Sequence, residues 1–153
     1  MATGAKDILT LFTRCPTVDD YQRVQEISAQ IYVEPHAIKD LKAFMRRELA
    51  SGIIVEKDRE GVVGYLFFER KKKSIEIVDI GVDQAGRRHG AGAMLVGRLI
   101  GYLKGIEDKR RLFITMQEDN MDTLLFFKAM GFRGRLVRND DSIFDTINMS
   151  YQG

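Results

Sequence analysis

The spacing of apolar and polar positions changes period several times along this chain, and each change marks an element. Ile8–Arg14 is a short β-prone run, the first predicted strand. Thr17-Val18-Asp19-Asp20 then has the Thr-x-x-Asp form of a helix capping box. Val24, Ile27 and Ile31 follow at spacings of three and four, which predicts a helix. Pro35 suits the first turn of a second helix. Its apolar face is Ile38, Leu41, Phe44, Met45 and Leu49, and Gly52 falls just past its end.

From Ile53 the period becomes two. Strands are predicted over Ile53–Lys57, Val62–Arg70 and Ser74–Val82, with turns at Asp58–Gly61 and Lys71–Lys73. The three lysines read either as a solvated turn or as an anion-binding patch. After a loop from Asp83 to His89, Leu95, Leu99, Tyr102, Leu103 and Ile106 form the stripe of a helix over about Gly90–Ile106. Leu112–Gln117 is a further strand. Asn120–Met130 is a short helix, apolar nearly all round and therefore expected to be buried, with Gly131 at its end. Phe132–Val137 and Ile143–Ser150 are the last strands, around an Asn139-Asp140-Asp141 loop. The order β-α-α-β-β-β-α-β-α-β-β mixes hairpins with helical crossovers. It predicts an α+β (mixed α/β) class around one central sheet, in a single domain over residues 1–153.

Composition narrows the functional classes. The 153 residues include 24 Lys+Arg against 22 Asp+Glu, a net charge of +2, and 44% are hydrophobic. That balance disfavours disorder and a dedicated nucleic-acid binder. Cys15 is the only cysteine, and the two histidines, His36 and His89, lie far apart. A disulfide framework is excluded, and a metal centre has almost no ligand supply. No apolar run approaches a membrane span, and Met1–Asp7 lacks a signal core, so the expected compartment is the cytoplasm.

The chemically informative segment is Ile80-Gly81-Val82-Asp83-Gln84-Ala85-Gly86-Arg87-Arg88-His89-Gly90-Ala91-Gly92. A strand, a glycine-rich basic loop and a helix start read either as an anion cradle or as an ordinary βα turn. Backbone N–H groups converge where the helix dipole is positive. Glycine lets backbone approach an anion closely, and Arg87 and Arg88 add charge-assisted donors. A diphosphate is the natural guest. The Gly-Lys-Ser/Thr of the Walker loop is absent, and the three-glycine dinucleotide fingerprint is not matched.

Arg87-x-x-Gly90-x-Gly92, five residues after Val82, resembles motif A of the GNAT N-acetyltransferase superfamily. Asn120-Met121-Asp122-Thr123-Leu124-Leu125-Phe126-Phe127-Lys128-Ala129-Met130-Gly131-Phe132 is similar to its motif B, although the bulky apolar run after Asn120 departs from the small residue usual at Thr123. The resemblance implies a GNAT acyl-CoA N-acyltransferase fold, a central mixed sheet with a splayed parallel strand pair. Acetyl-CoA would be the cosubstrate. The backbone of Ile80, Gly81 and Val82 would pair with the pantetheine amides, and Gly81 would leave the thioester unobstructed. N–H groups of Arg88, His89, Gly90, Ala91, Gly92 and Ala93, with Arg87 nearby, would hold the pyrophosphate. Asn120 would contact the pantetheine arm, serve as helix N-cap, or both.

The resemblance also exposes two gaps. Phe127 stands where many relatives carry an acidic tyrosine, and Thr115 stands where one branch carries a glutamate. Glu76 matches the catalytic glutamate of the histone-acetyltransferase branch. Alternation puts it on one strand face with Val78, Ile80 and Val82, and Asp79 on the other. Glu76 is either a general base acting through water or a cross-strand ion-pair partner. Tyr65 and Tyr151 are substitute acids. Cys15 reads as an idle thiol rather than a nucleophile. The acceptor would be a primary amine: a small molecule, a peptide N-terminus or a lysine. Glu34, Asp140, Asp141 and Asp145 are either acceptor-attracting or solvated loop acids. Homodimers are common in the family. The rival reading is a CoA-binding sensor or interaction module with little catalysis.

Overall fold

The computed structural model describes residues 10–31, 41–48, 50–84, 90–106, 111–117, 120–138 and 145–152. Seven strands form one mixed sheet: β1 (Leu11–Arg14), β2 (Ala50–Lys57), β3 (Gly61–Arg70), β4 (Ser74–Val82), β5 (Arg111–Gln117), β6 (Arg133–Val137) and β7 (Thr146–Gln152). Their order is β1-β2-β3-β4-β5-β7-β6. Every neighbouring pair is antiparallel except β4 and β5. The helices are α1 (Tyr21–Ile31), α2 (Leu41–Met45), α3 (Ala91–Lys104) and α4 (Met121–Ala129). The predicted mixed class and element order are therefore observed. A parallel neighbour needs a crossover connection, and α3 supplies it between β4 and β5.

The sheet buries both faces. On one, Leu95, Leu99 and Leu103 of α3 and Phe127 of α4 pack on Val55, Leu66, Phe68, Ile75, Ile77, Leu112, Ile114 and Met149. On the other, Val24 and Ile27 of α1 and Phe44 of α2 pack on Ile54, Val62, Tyr65 and Phe67. Two bulges reset strand parity. Val55 opposes Gly64 while Glu56 opposes Val62, which leaves Val63 as the extra residue. Phe67 opposes Asp79 while Phe68 opposes Ile77, which leaves Val78 as the extra residue. An inserted residue exchanges the faces of everything beyond it.

Three local expectations need correction. Gly52 does not end a helix, because β2 begins at Ala50. Its Cβ would lie 2.6 Å from the Phe67 ring and 3.0 Å from Pro16, so glycine lets that ring cross the strand. The α4 helix is not buried all round: Met121 and Leu125 are exposed, and Phe127 is its only fully buried side chain. Among the described residues the last strand runs over Thr146–Gln152, past the predicted end at Ser150, while Ile143 lies outside them, and β6 is an exposed edge.

The capping box does form. Asp20 accepts from the Thr17 backbone N–H at 2.7 Å and from Arg14 at 2.7 and 2.8 Å. Arg14 also donates to Glu56 at 2.8 and 3.0 Å, so one guanidinium ties β1, β2 and the entry to α1 together. These bonds from Arg14 hold the Asp20 carboxyl below the usual carboxylate range, against the opposing effect of burial.

Candidate active site

The parallel register of β4 and β5 is short. Ser74, Ile75 and Glu76 pair with Arg111, Leu112 and Phe113, and the ladder stops there although β4 continues to Val82 and β5 to Gln117. Beyond the last rung lies a cavity of about 640 Å³, lined by Ile80, Gly81, Val82, Gly90, Gly92, Ala93, Asn120, Phe126 and Phe127, with Gln30 and Ile31 of α1 at its side. Seven of the residues predicted to hold acetyl-CoA therefore line one cavity. Ala91 is buried beneath them. Arg87, Arg88 and His89 lie outside the described residues, as do Glu34, His36, Asp140 and Asp141.

The glycines of the cradle have separate physical roles. Gly90 is the residue before α3 and sits at φ +80°, where a Cβ is strained. Its carbonyl accepts from Met94 N–H at 2.9 Å, so the helix starts there. A Cβ at Gly92 would stand 3.3 Å from the Phe126 ring, so this glycine lets α4 approach the first turn of α3. The α3 axis delivers its free N–H groups and positive end to the cavity rim.

Asn120 occupies the N-cap position of α4, and its carbonyl accepts from Leu124 N–H at 3.1 Å. Its side chain makes no capping bond, and the residue lines the cavity. Phe127 is wholly buried among Phe126 and Phe132, with ring centroids 5.1 and 4.9 Å away. It carries no proton to give. The end of β4 is fixed from the other side of the sheet, where Arg23 of α1 pairs with Asp83 and donates to the Val62 carbonyl at 3.0 Å.

The space denied to a side chain at Gly81 is not empty. A Cβ there would lie 2.6–2.7 Å from Cε1, Cζ and the hydroxyl oxygen of Tyr65. Tyr65 is fully buried and donates to Asp79 Oδ2 at 3.1 Å. Thus Tyr65 rests against the strand segment that lines the cavity, a juxtaposition no spacing in the sequence could reveal.

The bulge at Val78 also corrects the face of Glu76. Ile75 and Ile77 pack with Ile80 and Val82 on the α3 side, whereas Val78 packs on the α1 side. Glu76 therefore shares the α1 face and points away from the face of Ile80 and Val82. It is partly exposed, stands opposite Glu69, and lies 3.6 Å from Lys71. It does not line the cavity. The adjoining stretch of that face on β5 and β7 is polar, with Asn148 Nδ2 donating to Thr115 Oγ1 at 3.4 Å. Tyr151 packs against Phe132 with its ring tilted, on the opposite face. Cys15 is exposed and unbridged. Among the described residues there is no cluster of metal-ligating side chains. No helix among them is long and apolar enough to cross a membrane.

Known structures share this fold. The ribosomal-protein-S18-alanine N-acetyltransferase of Escherichia coli superposes with a TM-score of 0.77 at 16% identity, covering 94% of each chain. Arabidopsis thaliana NAA60 in complex with acetyl-CoA gives 0.77 at 17% identity, covering 94% of this chain and 98% of that one. A spermidine N-acetyltransferase from Vibrio cholerae gives 0.75 at 13% identity, covering 93% of each. At these identities the likeness establishes the fold alone. No curated protein sequence matches this chain. The model of the Acetyltransferase (GNAT) family matches residues 12–132, which is most of the sequence, and the chain belongs to that family.

Proposed function

We propose that this protein is an N-acetyltransferase that moves an acetyl group from acetyl-CoA to a primary amine by direct transfer in a ternary complex. The observation that carries the reading is the cavity where the β4–β5 ladder ends. It joins a strand segment, a helix N-terminus and the Asn120 side chain in one concave site. The backbone of Ile80, Gly81 and Val82 holds the pantetheine amides. The N–H groups at Gly90, Ala91, Gly92 and Ala93, with Arg87, Arg88 and His89 before them, hold the pyrophosphate. Asn120 steadies the pantetheine arm. An acetyl-CoA complex of a structural neighbour supports the choice of cosubstrate.

Transfer proceeds without a covalent enzyme intermediate. Glu76 takes one proton from the acceptor ammonium through water, which leaves a neutral amine. The amine nitrogen then forms its bond to the acetyl carbon as the carbon–sulfur bond breaks. The second nitrogen proton is lost to solvent, and the departing thiolate takes its proton from water. An unperturbed thiol pKa near ~8.5 makes the thiolate a tolerable leaving group, so Phe127 is no obstacle. The α1 face supports Glu76 in this role, because it is the polar side of β5 and β7 on which an acceptor would sit.

The test combines calorimetric titration with acetyl-CoA and an amine panel. Micromolar acetyl-CoA binding and transfer to at least one primary amine are expected. Glu76→Gln should lower turnover about 10²-fold or more, with acetyl-CoA affinity within a factor of two. Unchanged turnover across pH would remove Glu76 from the reaction. Binding without transfer to any amine would favour the sensor reading instead.

A further inference from the structure

A second cavity, of about 760 Å³, lies on the α3 side of the sheet between that helix and strands β1 to β3. Its walls include Thr13, Ser51, Ile53, Phe68, Arg70, Arg98 and Tyr102, and it shares no residue with the cavity at the end of the β4–β5 ladder. No lining residue is acidic. Arg14 also reaches it, but Asp20 and Glu56 already occupy that guanidinium. Arg70 and Arg98 have no ion pair among the described residues. Arg70 donates through Nη1 to the Tyr102 hydroxyl at 3.3 Å, while its buried Nε has no acceptor. Tyr102 stands one turn beyond Arg98 on α3, which brings the two guanidinium groups to the same wall.

A buried donor without a partner is rare, because leaving it unmade forfeits its hydration. Arg70 and Arg98 line a chamber far larger than one water needs, together with the hydroxyl-bearing Thr13, Ser51 and Tyr102. Two guanidinium groups with no ion pair among the described residues suit a dianionic oxygen ligand, and their fork geometry matches phosphate. The remaining wall is apolar: Ile53, Phe68, Leu99 and the bare backbone of Gly97 and Gly101. We propose that this cavity is a binding site for a small phosphate monoester, with the phosphate held by Arg70, Arg98 and Tyr102 and the organic part against Phe68 and the two glycines. The site is independent of the acetyl-CoA reading.

Phenyl phosphate and inorganic phosphate are the probes, titrated calorimetrically into the whole protein. Saturable binding of phenyl phosphate is expected, weakened about tenfold by Arg98→Gln and similarly by Arg70→Gln. A Cβ at Gly101 would meet no atom within 4 Å, so Gly101→Leu should fold normally while filling the chamber and abolishing binding. Preference for phenyl phosphate identifies a phosphorylated small molecule as the ligand. Equal affinity for both probes would make the site one for inorganic phosphate and overturn the role of the apolar wall. Absence of saturable binding overturns the proposal. Binding that survives both Arg98→Gln and Gly101→Leu also overturns it, because it then belongs to the N-terminus of α3.

Discussion

Gly81→Ala separates two reasons for a glycine on β4. The added methyl would stand 2.6 Å from Tyr65 Cε1 and 2.7 Å from Cζ and the hydroxyl oxygen. Ordinary carbon–carbon contacts sit at about 3.5–4.0 Å, so an ångström of relief is needed. Tyr65 cannot yield freely. It is fully buried, lies 5.5 Å from the Phe67 ring centroid, and donates to Asp79. Overpacking of this kind costs about 1–3 kcal/mol. A ring displaced far enough to lose its Asp79 bond adds about 1–3 kcal/mol. The sum is about 2–6 kcal/mol, which at about 2–4 °C per kcal/mol for this size lowers Tm by about 4–24 °C. Thermal and denaturant unfolding of Gly81→Ala, Tyr65→Val and the double variant measures this directly. The double variant should be more stable than additivity predicts by about 2 kcal/mol, because the clash has gone. Acetyl-CoA affinity, measured well below Tm, should change little, since the methyl points toward Tyr65. Additive losses, or a stable Gly81→Ala protein that has lost acetyl-CoA binding, would show that the glycine serves the thioester and refute the Tyr65 account.

Asp20 should set part of the acid limit of stability. Its carboxyl is held low in the folded state, so its contribution is complete above the unfolded value and disappears as pH falls through the lower folded one. Asp20→Asn should therefore cost about 2 kcal/mol in urea unfolding at pH 7 and progressively less below pH 4, because the wild type itself loses the bond to Arg14 there. Glycine-to-alanine substitution should change sign along α3 and its entry. Gly97→Ala, with open space around its Cβ in a helix interior, should gain about 0.5–1 kcal/mol, whereas Gly90→Ala at φ +80° should lose about 1–2 kcal/mol. Equal effects at the two positions in denaturant unfolding would contradict the left-handed assignment at Gly90.

What the sequence disclosed, and what it withheld, follows the range of the interaction involved. The turn from β4 into α3 is local, so glycine spacing near Gly90 and Gly92 was enough to place the start of the helix. The capping box at Thr17 and Asp20 is equally local, but the Arg14 and Glu56 bonds that complete it come from separate strands. Alternation assigns faces only while pairing is regular. Val63 and Val78 are ordinary strand residues, and nothing in them marks a bulge, which exists only relative to the register of the opposing strand. That one inserted residue moves Glu76 from the face of Ile80 to that of α1. The consequence is chemical as well as geometric. A carboxylate on the side of Ile80 would compete for the space beside α3 and α4, whereas on the α1 side it faces the polar rows of β5 and β7. Tyr65 and Gly81 illustrate the same limit, since their interlock needs both strands in register. The glycine-rich turn proposed to hold a diphosphate is thus written in consecutive residues, while the proposed proton transfer and the Arg70–Arg98 chamber depend on elements that only the assembled sheet brings together.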